Sequence, residues 1–485
     1  MNFRIINYIL GWVLIIEAAF LLMPFFVGLY CGESSATAFL IGAAISAAVG
    51  TLFVIKKPKD TVFFIKEGFV AVALSWIALS TFGALPFVIS GEIPKFIDAL
   101  FETVSGFTTT GSSILSDVEA LSHASLFWRS FTHWIGGMGV LVFLLAVLPM
   151  AGGSQMHLMR AESPGPSVSK LVPKTQYTAI ILYGIYILLT IIQFILLIIG
   201  GMPIFDAITI TFGTAGTGGF GIKNDSIASY SPYCQWIIAA FMVIFGVNFN
   251  VYFLMLLKRF KQAISGEEFR TYLGLVAGST ALIAYNIYKN CNMVEGTLRH
   301  AFFQVASIMT TTGFASTDYE IWPSFSHVIL VLLMFIGASA GSTGGGIKVS
   351  RIILLAKRAR QEIRHYFHPK RVTKIHLDGK VVESEVIKTT SAYLITYVLL
   401  FAASVLLISL NTADTTTAFT AVAATINNIG PGLAQVGPTD NFGFFNAFSK
   451  SVLIFDMLVG RLELFPMLIL FNPNVWFSKR IKKNI

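Results

Sequence analysis

Asp98-Ala-Leu-Phe-Glu-Thr-Val-Ser-Gly-Phe-Thr-Thr-Thr-Gly111 is one of four stretches in which an alanine precedes a glycine by twelve residues in Thr/Gly/Asn-rich surroundings. The others are Asp206-Ala-Ile-Thr-Ile-Thr-Phe-Gly-Thr-Ala-Gly-Thr-Gly-Gly219, His300-Ala-Phe-Phe-Gln-Val-Ala-Ser-Ile-Met-Thr-Thr-Thr-Gly313 and Thr417-Ala-Phe-Thr-Ala-Val-Ala-Ala-Thr-Ile-Asn-Asn-Ile-Gly430. All four align without a gap, and their glycines are spaced by 108, 94 and 117 residues, so the units are similar in size. The recurrence reads as a fourfold pore.

The chain is 55% apolar and 12% charged, against about 25% charged in a soluble domain. Most of it must therefore face lipid or itself. Windows long enough to cross about 30 Å of hydrocarbon as helices fall near 5–28, 36–55, 68–90, 125–150, 177–200, 233–257, 271–288, 325–340, 389–410 and 451–471. Ten crossings are expected. The first window ends at Tyr30, bulky where a processing enzyme needs a small residue, and reads as an uncleaved anchor.

Each aligned stretch lies between two crossings and is too short to span. It can enter and leave the membrane only if its irregular end is buried in protein or lines water. The expected fold is an all-α integral membrane protein of four helix–re-entrant pore loop–helix repeats in pseudo-fourfold arrangement, with an extra N-terminal helix pair. The units are 1–66 (helix pair), 67–160, 161–270, 271–387 and 388–485.

Basic residues gather in alternate connections. Arg4, the groups at 56–66, 160–174 and 258–270, the run 348–388 and the tail 479–483 hold 27 of the 34 Lys and Arg. The positive-inside rule then puts both termini in the cytoplasm. The net charge of +9 lies just beside the crossings, which favours phospholipid headgroups and a soluble partner over nucleic acid. The polar run from Lys357 to Lys388 reads either as a solvated loop or as a docking face for a regulator, with Arg358, Arg360 and Arg364 at its start. Cys31, Cys234 and Cys291 have no metal-ligand spacing, and a bridge between Cys234 and Cys291 stays open.

A cation entering the membrane loses water and needs oxygens in its place. Backbone carbonyls serve if the turn adopts conformations that glycine takes at no steric cost. Thr109-Thr110-Gly111, Thr217-Gly218-Gly219, Thr311-Thr312-Gly313 and Asn428-Ile429-Gly430 meet that need, and a ring of four would act as a selectivity filter. The short helices before them end at the turn, their partially negative C-termini toward the ion path. Any single copy could instead serve close helix packing; four copies in register favour the pathway.

The chain resembles the Trk/Ktr/HKT superfamily of potassium transporters, in particular the membrane subunits of bacterial Trk systems. The resemblance rests on four helix–filter–helix units, a filter glycine in each, and the strings Thr108-Thr-Thr-Gly111, Thr310-Thr-Thr-Gly313 and Gly460-Arg-Leu-Glu463. It implies passage of K+, with Rb+ as its analogue, across a bacterial inner membrane. It implies further a homodimer, no cofactor bound by this chain, and a cytosolic nucleotide-binding regulatory subunit of the TrkA kind. Gly111 in the first unit goes, in that family, with potassium over sodium.

Gly341-Ser342-Thr343-Gly344-Gly345-Gly346 interrupts the helix after the third filter. Glycine costs roughly 1 kcal/mol against alanine in a helix, so the segment should break there. It reads as a movable intramembrane loop, as the resemblance also implies, or as a small-residue packing surface. Arg461 is a basic residue inside a predicted crossing, where a role near the ion path is the default; an ion pair with Asp456 or Glu463 is the alternative. His133 has no ligand partner in the sequence and is expected only to pack. A sodium- or proton-coupled symporter is the nearer rival function. A scaffold or enzyme is more distant, since no HExxH, GxSxG or phosphate loop occurs.

Overall fold

The structure is a computed structural model that describes residues 1–58, 65–139, 175–291, 296–369, 374–412 and 414–476. Expectations for Lys59, for 140–174 with its basic residues and for the 477–485 tail lie outside these residues. The described chain is mostly helical. Its N-terminal pair, Phe3–Cys31 and Ala36–Val54, is packed as an antiparallel hairpin. At their closest approach a Cβ on Gly11 would lie 2.7 Å from the Gly50 carbonyl oxygen, and one on Gly50 would lie 2.8 Å from that of Gly11. Small residues let membrane helices meet this closely.

Four short helices sit at the centre: Phe96–Phe107, Ile204–Ala215, Thr297–Met309 and Thr415–Ile426, termed pore helices one to four. With 12 or 13 residues each, they rise about 18–20 Å at ~1.5 Å per residue and cannot cross. Nearly every residue in their C-terminal halves is buried. The largest apolar core joins the N-terminal pair to the first and fourth repeats, and smaller cores hold the second and third.

Of the ten expected crossings, five stand as helices long and apolar enough to span on their own: Phe3–Cys31, Ala36–Val54, Lys66–Ser90, Ala179–Ile199 and Ser384–Ile408. The window 233–257 is bent by 90° between Pro232–Phe245 and Phe249–Leu256. The window 325–340 stops at Ile336, and the last stops at Arg461, where Glu463 and Leu464 take positive φ. Apolar composition marked these windows, while their breaks follow from what the backbone must reach near the filter.

The polar run after Lys357 is not a loop. Val349–Phe367 is a helix whose far end is exposed, including Ile363, Tyr366 and Phe367. His376–Leu377 and Lys380–Val381 follow as an antiparallel hairpin in the register His376 to Val381. Asp378 (φ 51) and Gly379 (φ 75) form its two-residue turn, for which Asp-Gly is the favoured pair because both residues need positive φ. Lys357 ties helix and hairpin by an ion pair to Glu267 and a 2.7 Å bond to the His376 carbonyl. Cys234 is a free, buried thiol; the side chain of Cys291, the other half of the bridge left open by the sequence, lies outside those described.

Candidate ion-conducting site

The four pore helices end in one repeated backbone motif. The residue before each filter glycine donates its N–H five residues back, Thr110 to Ser105, Gly218 to Gly213, Thr312 to Ser307 and Ile429 to Ala424, each at 2.8 Å. The residue before it bonds three back, at 3.0–3.1 Å: Thr109 to Gly106, Thr217 to Thr214, Thr311 to Ile308 and Asn428 to Thr425. This is the left-handed helix cap in which two final carbonyls are satisfied. The capping residue needs positive φ, and Thr109, Thr217, Thr311 and Asn428 have φ of 54–59°. Asparagine tolerates that region, but a β-branched threonine there is a steric outlier costing on the order of 1–3 kcal/mol. Strain repeated at three equivalent positions marks a site.

Two residues on, Gly111, Gly219, Gly313 and Gly430 also take positive φ, of 81°, 80°, 88° and 107°. Sequence reasoning assigned the special conformation to the glycines alone; the structure shares it with the residue two before.

The four turns close on one another in cyclic order. A Cβ on Gly111 would lie 2.0 Å from the Gly218 carbonyl oxygen, one on Gly219 1.9 Å from that of Thr312, and one on Gly313 2.0 Å from that of Ile429. The circuit is completed by Gly430, whose Cβ would meet the Thr110 carbonyl oxygen at 2.9 Å. Each glycine thus faces the carbonyl that precedes the next glycine around the ring. The predicted filter residues Thr109, Thr110, Gly111, Thr217, Gly218, Gly219, Thr311, Thr312, Gly313, Asn428, Ile429 and Gly430 are brought together, and all but the glycines at 111, 219 and 313 are fully buried.

The two departures from Thr-Thr-Gly have physical reasons. In the second turn a Cβ at Gly218 would fall 2.2 Å from the His133 ring. His133 occupies the space that Thr110 and Thr312 fill with hydroxyls bonded at 2.7 Å to Thr108 and Thr310. In the fourth, the Asn428 amide reaches the Thr110 hydroxyl and the Met457 carbonyl, both at 2.9 Å.

His133 is more than packing. Its Nε2 accepts from the Phe220 N–H at 3.2 Å and its Nδ1 lies 2.8 Å from the Gly106 carbonyl. A nitrogen that accepts from an N–H carries no proton, so Nδ1 bears it and the ring is neutral. It links the cap of pore helix one to the residue after filter two. No local pattern announced this; the Gly136-Gly137 pair was the available signal of close approach, since a Cβ on Gly136 would meet the Phe107 carbonyl oxygen at 1.9 Å.

A second unforeseen support is the buried pair Arg129–Glu102, at 2.8 Å. Glu102 also accepts from Ser113 Oγ at 2.9 Å and the Ile114 N–H at 3.1 Å, while Arg129 donates to the Gly221 carbonyl at 3.1 Å and covers the Phe220 ring at 4.1 Å. The cluster ties pore helix one to the segments that follow filters one and two. Removing one partner of such a pair leaves a buried charge, a loss of about 3–5 kcal/mol. Glu102→Gln is expected to lower stability by that order in a denaturation series on detergent-solubilised protein; a change below about 1 kcal/mol would contradict the pairing.

Below the ring lies the glycine segment. Gly337, Gly341 and Gly346 take positive φ, and no helix runs between Ile336 and Val349. A Cβ on Gly344 would meet the Thr310 carbonyl oxygen at 2.7 Å, and one on Gly345 would meet that of Asn427 at 2.3 Å. The segment therefore touches filters three and four directly, and the Gly345 N–H donates to Thr311 Oγ1 at 2.6 Å. It is also sewn to the bend at 246–248: Ser339 N–H to the Gly246 carbonyl at 3.1 Å, and Phe249 N–H to the Gly341 carbonyl at 3.0 Å. The Glu268 carboxylate accepts from the Ala340 N–H at 2.7 Å.

Arg461 binds Thr109 Oγ1 at 3.3 Å, the Thr343 carbonyl at 2.8 Å, the Gly137 carbonyl at 2.9 Å and the Gly136 carbonyl. The alternative of an ion pair with Asp456 or Glu463 does not hold: Asp456 accepts from Ser404 at 2.7 Å, and Glu463 pairs with Arg351. Arg461 is half-buried, and a second, fully buried cation holds the same segment. Lys348, 2% exposed, donates to the Gly344 carbonyl and, at 3.0 Å, to that of Gly345.

Fold and site define a membrane protein of the cation-transport class, with four short helices ending in a closed ring of turns. The family described as TrkH: Cation transport protein matches residues 35–281 and 288–478, and the chain belongs to it. The Trk system potassium uptake protein TrkH of Salmonella typhimurium is 39% identical over 487 residues, covering 98% of this chain and 100% of that one. The protein of the same name from Halomonas elongata is 33% identical over 98% and 100%. The crystal structure of the potassium transporter TrkH from Vibrio parahaemolyticus matches at a TM-score of 0.88 and 32% identity, over 98% of this chain and 100% of that one.

Proposed function

We propose that the chain carries potassium across the bacterial inner membrane through the ring of filter turns, rubidium passing as its analogue. The cyclic closure of Gly111, Gly219, Gly313 and Gly430 on one another's neighbouring carbonyls carries this reading: a closed ring of four turns is the arrangement in which peptide oxygens can replace a hydration shell. The printed names of the relatives, potassium uptake proteins of Trk systems, support the ion assignment. The loop Gly341–Gly346 with Arg461 is the gate, and Lys348 holds it from below.

Rubidium uptake by proteoliposomes tests the whole. Flux is expected to run downhill with no proton or sodium gradient; a requirement for either gradient would establish the coupled symporter instead.

The basic helix Val349–Phe367 and its hairpin are the docking face for a cytosolic nucleotide-binding regulator, both termini lying on that side, and the protein works as a homodimer. The reading is supported by exposed Arg358, Arg360 and Arg364 beside Tyr366 and Phe367. Charge reversal at the three arginines is expected to abolish co-purification of the regulatory subunit while rubidium flux through the isolated protein persists. Retained binding would move the interface elsewhere.

A further inference from the structure

At the end of the first helix, opposite to the basic helix, three side chains of different chemistry converge. The helix Phe3–Cys31 terminates in a left-handed Gly32 (φ 72), with Gly32 N–H bonded to the Leu29 carbonyl at 3.2 Å and Glu33 N–H to that of Gly28 at 2.9 Å. This cap fixes Glu33 beside Cys31. The Glu33 carboxylate then reaches across to the first turn of the helix His123–Met138, accepting from the N–H groups of His123 at 2.8 Å and Ala124 at 3.1 Å, and lying 2.8 Å from His123 Nδ1. That turn is itself anchored, because Glu92 accepts from the Ser122 N–H at 3.1 Å and also binds the Ser125 hydroxyl. The donor atoms of Cys31, Glu33 and His123 all lie within 4.8 Å of one another.

We propose that Cys31, Glu33 and His123 form a binding site for a zinc-class divalent cation that joins the N-terminal helix pair to the helix carrying Arg129 and His133. Zinc bonds sulfur at about 2.3 Å and nitrogen or oxygen at about 2.0–2.2 Å. In tetrahedral geometry its ligand atoms therefore stand roughly 3.4–3.6 Å apart. The present spacing reaches this by small rotations of Cys31 and His123, both exposed. A thiolate, an imidazole and a carboxylate select zinc-class ions over magnesium, calcium or potassium, which take oxygen sets. Three protein ligands leave the fourth position to water.

Binding is a simple exchange: the Cys31 thiol releases its proton to solvent as sulfur bonds the metal. The imidazole proton sits on the nitrogen that does not ligate. A carboxylate is already ionised at neutral pH, so no proton need leave Glu33. The distance in sequence between positions 31 and 123 is why cysteine spacing gave no sign of the site.

Cobalt(II) titration of the purified full-length protein, with thiols reduced and no chelator, is the test. One equivalent is expected to bind with a thiolate-to-cobalt charge-transfer band, and one equivalent of zinc should displace it. Cys31→Ser should remove the band, and His123→Asn should weaken binding at least about tenfold. Neither residue belongs to the filter or the loop, so rubidium flux without metal reports folding of both variants. On the unmutated protein, zinc should slow alkylation at Cys31, read by peptide mass. Absence of the band, a band that survives Cys31→Ser, affinity unchanged by His123→Asn, or alkylation at Cys31 unaffected by zinc would each overturn the proposal.

Discussion

Gly111→Ala is expected to reduce rubidium uptake to the level of empty vesicles. The added methyl would lie 2.0 Å from the Gly218 carbonyl oxygen, and the obstacle is backbone in a turn that already carries a strained Thr217. That carbonyl must move by about 1.4 Å to reach ordinary contact, and under the proposed function it is one of the oxygens that replace the ion's water. Positive φ adds a cost of its own, on the order of 1–2 kcal/mol for a residue with a Cβ.

The two effects are separable. Gly91 has φ 79 with nothing within 4 Å of a built Cβ, so Gly91→Ala bears the strain without the collision and should retain flux. Gly219→Ala and Gly313→Ala should be as severe as Gly111→Ala, with collisions at 1.9 and 2.0 Å, and Gly430→Ala milder, at 2.9 Å. Normal uptake by a correctly folded Gly111→Ala protein would remove the filter assignment.

Deletion within 338–345, or Arg461→Gln, is expected to raise rubidium flux. The loop is held by bonds to Thr311, Gly246, Phe249, Glu268, Lys348 and Arg461, each contributing roughly 0.5–1.5 kcal/mol net, more where charged. Opening must exchange these bonds for others, and removing part of the set shifts the balance toward the open loop. Arg461 bonds both Thr109 of filter one and Thr343 of the loop, so its loss should also alter ion preference. Gly345→Ala offers a gentler route, since its methyl would meet the Asn427 carbonyl oxygen at 2.3 Å and push the loop out from under the filter. Unchanged flux in all three, with normal expression, would leave the segment as packing alone.

How much of this was legible in advance depends on range. The positive-φ glycines, the four short helices before them and the interruption at 341–346 were readable because each expresses a local rule: helix length against bilayer thickness, or glycine against positive φ. Arg461 was flagged by the cost of a charge in a crossing, but its partners were not, because Thr109 and Gly137 are more than 300 residues away in sequence. His133 and the Arg129–Glu102 pair were missed because their partners, 27 to 92 residues away, lie on other elements that only folding brings near. The basic segment after Lys357 was read as a solvated loop or a docking face, with no helix assigned; the helix runs on to Phe367 with partners in Glu267 and a hairpin, neither visible in a hydropathy window.

The amino-acid sequence alone determined that four equivalent helix–turn units sit in a membrane with their glycines aligned, because those properties are carried by composition and spacing within a dozen residues. Only the tertiary structure decided that each glycine abuts the carbonyl before the next, that a histidine stands in for a missing threonine side chain, and that a half-buried arginine and a buried lysine clamp the loop. Such contacts join residues distant along the chain, and which distant groups meet is set by packing of the whole, not by any segment's own preference.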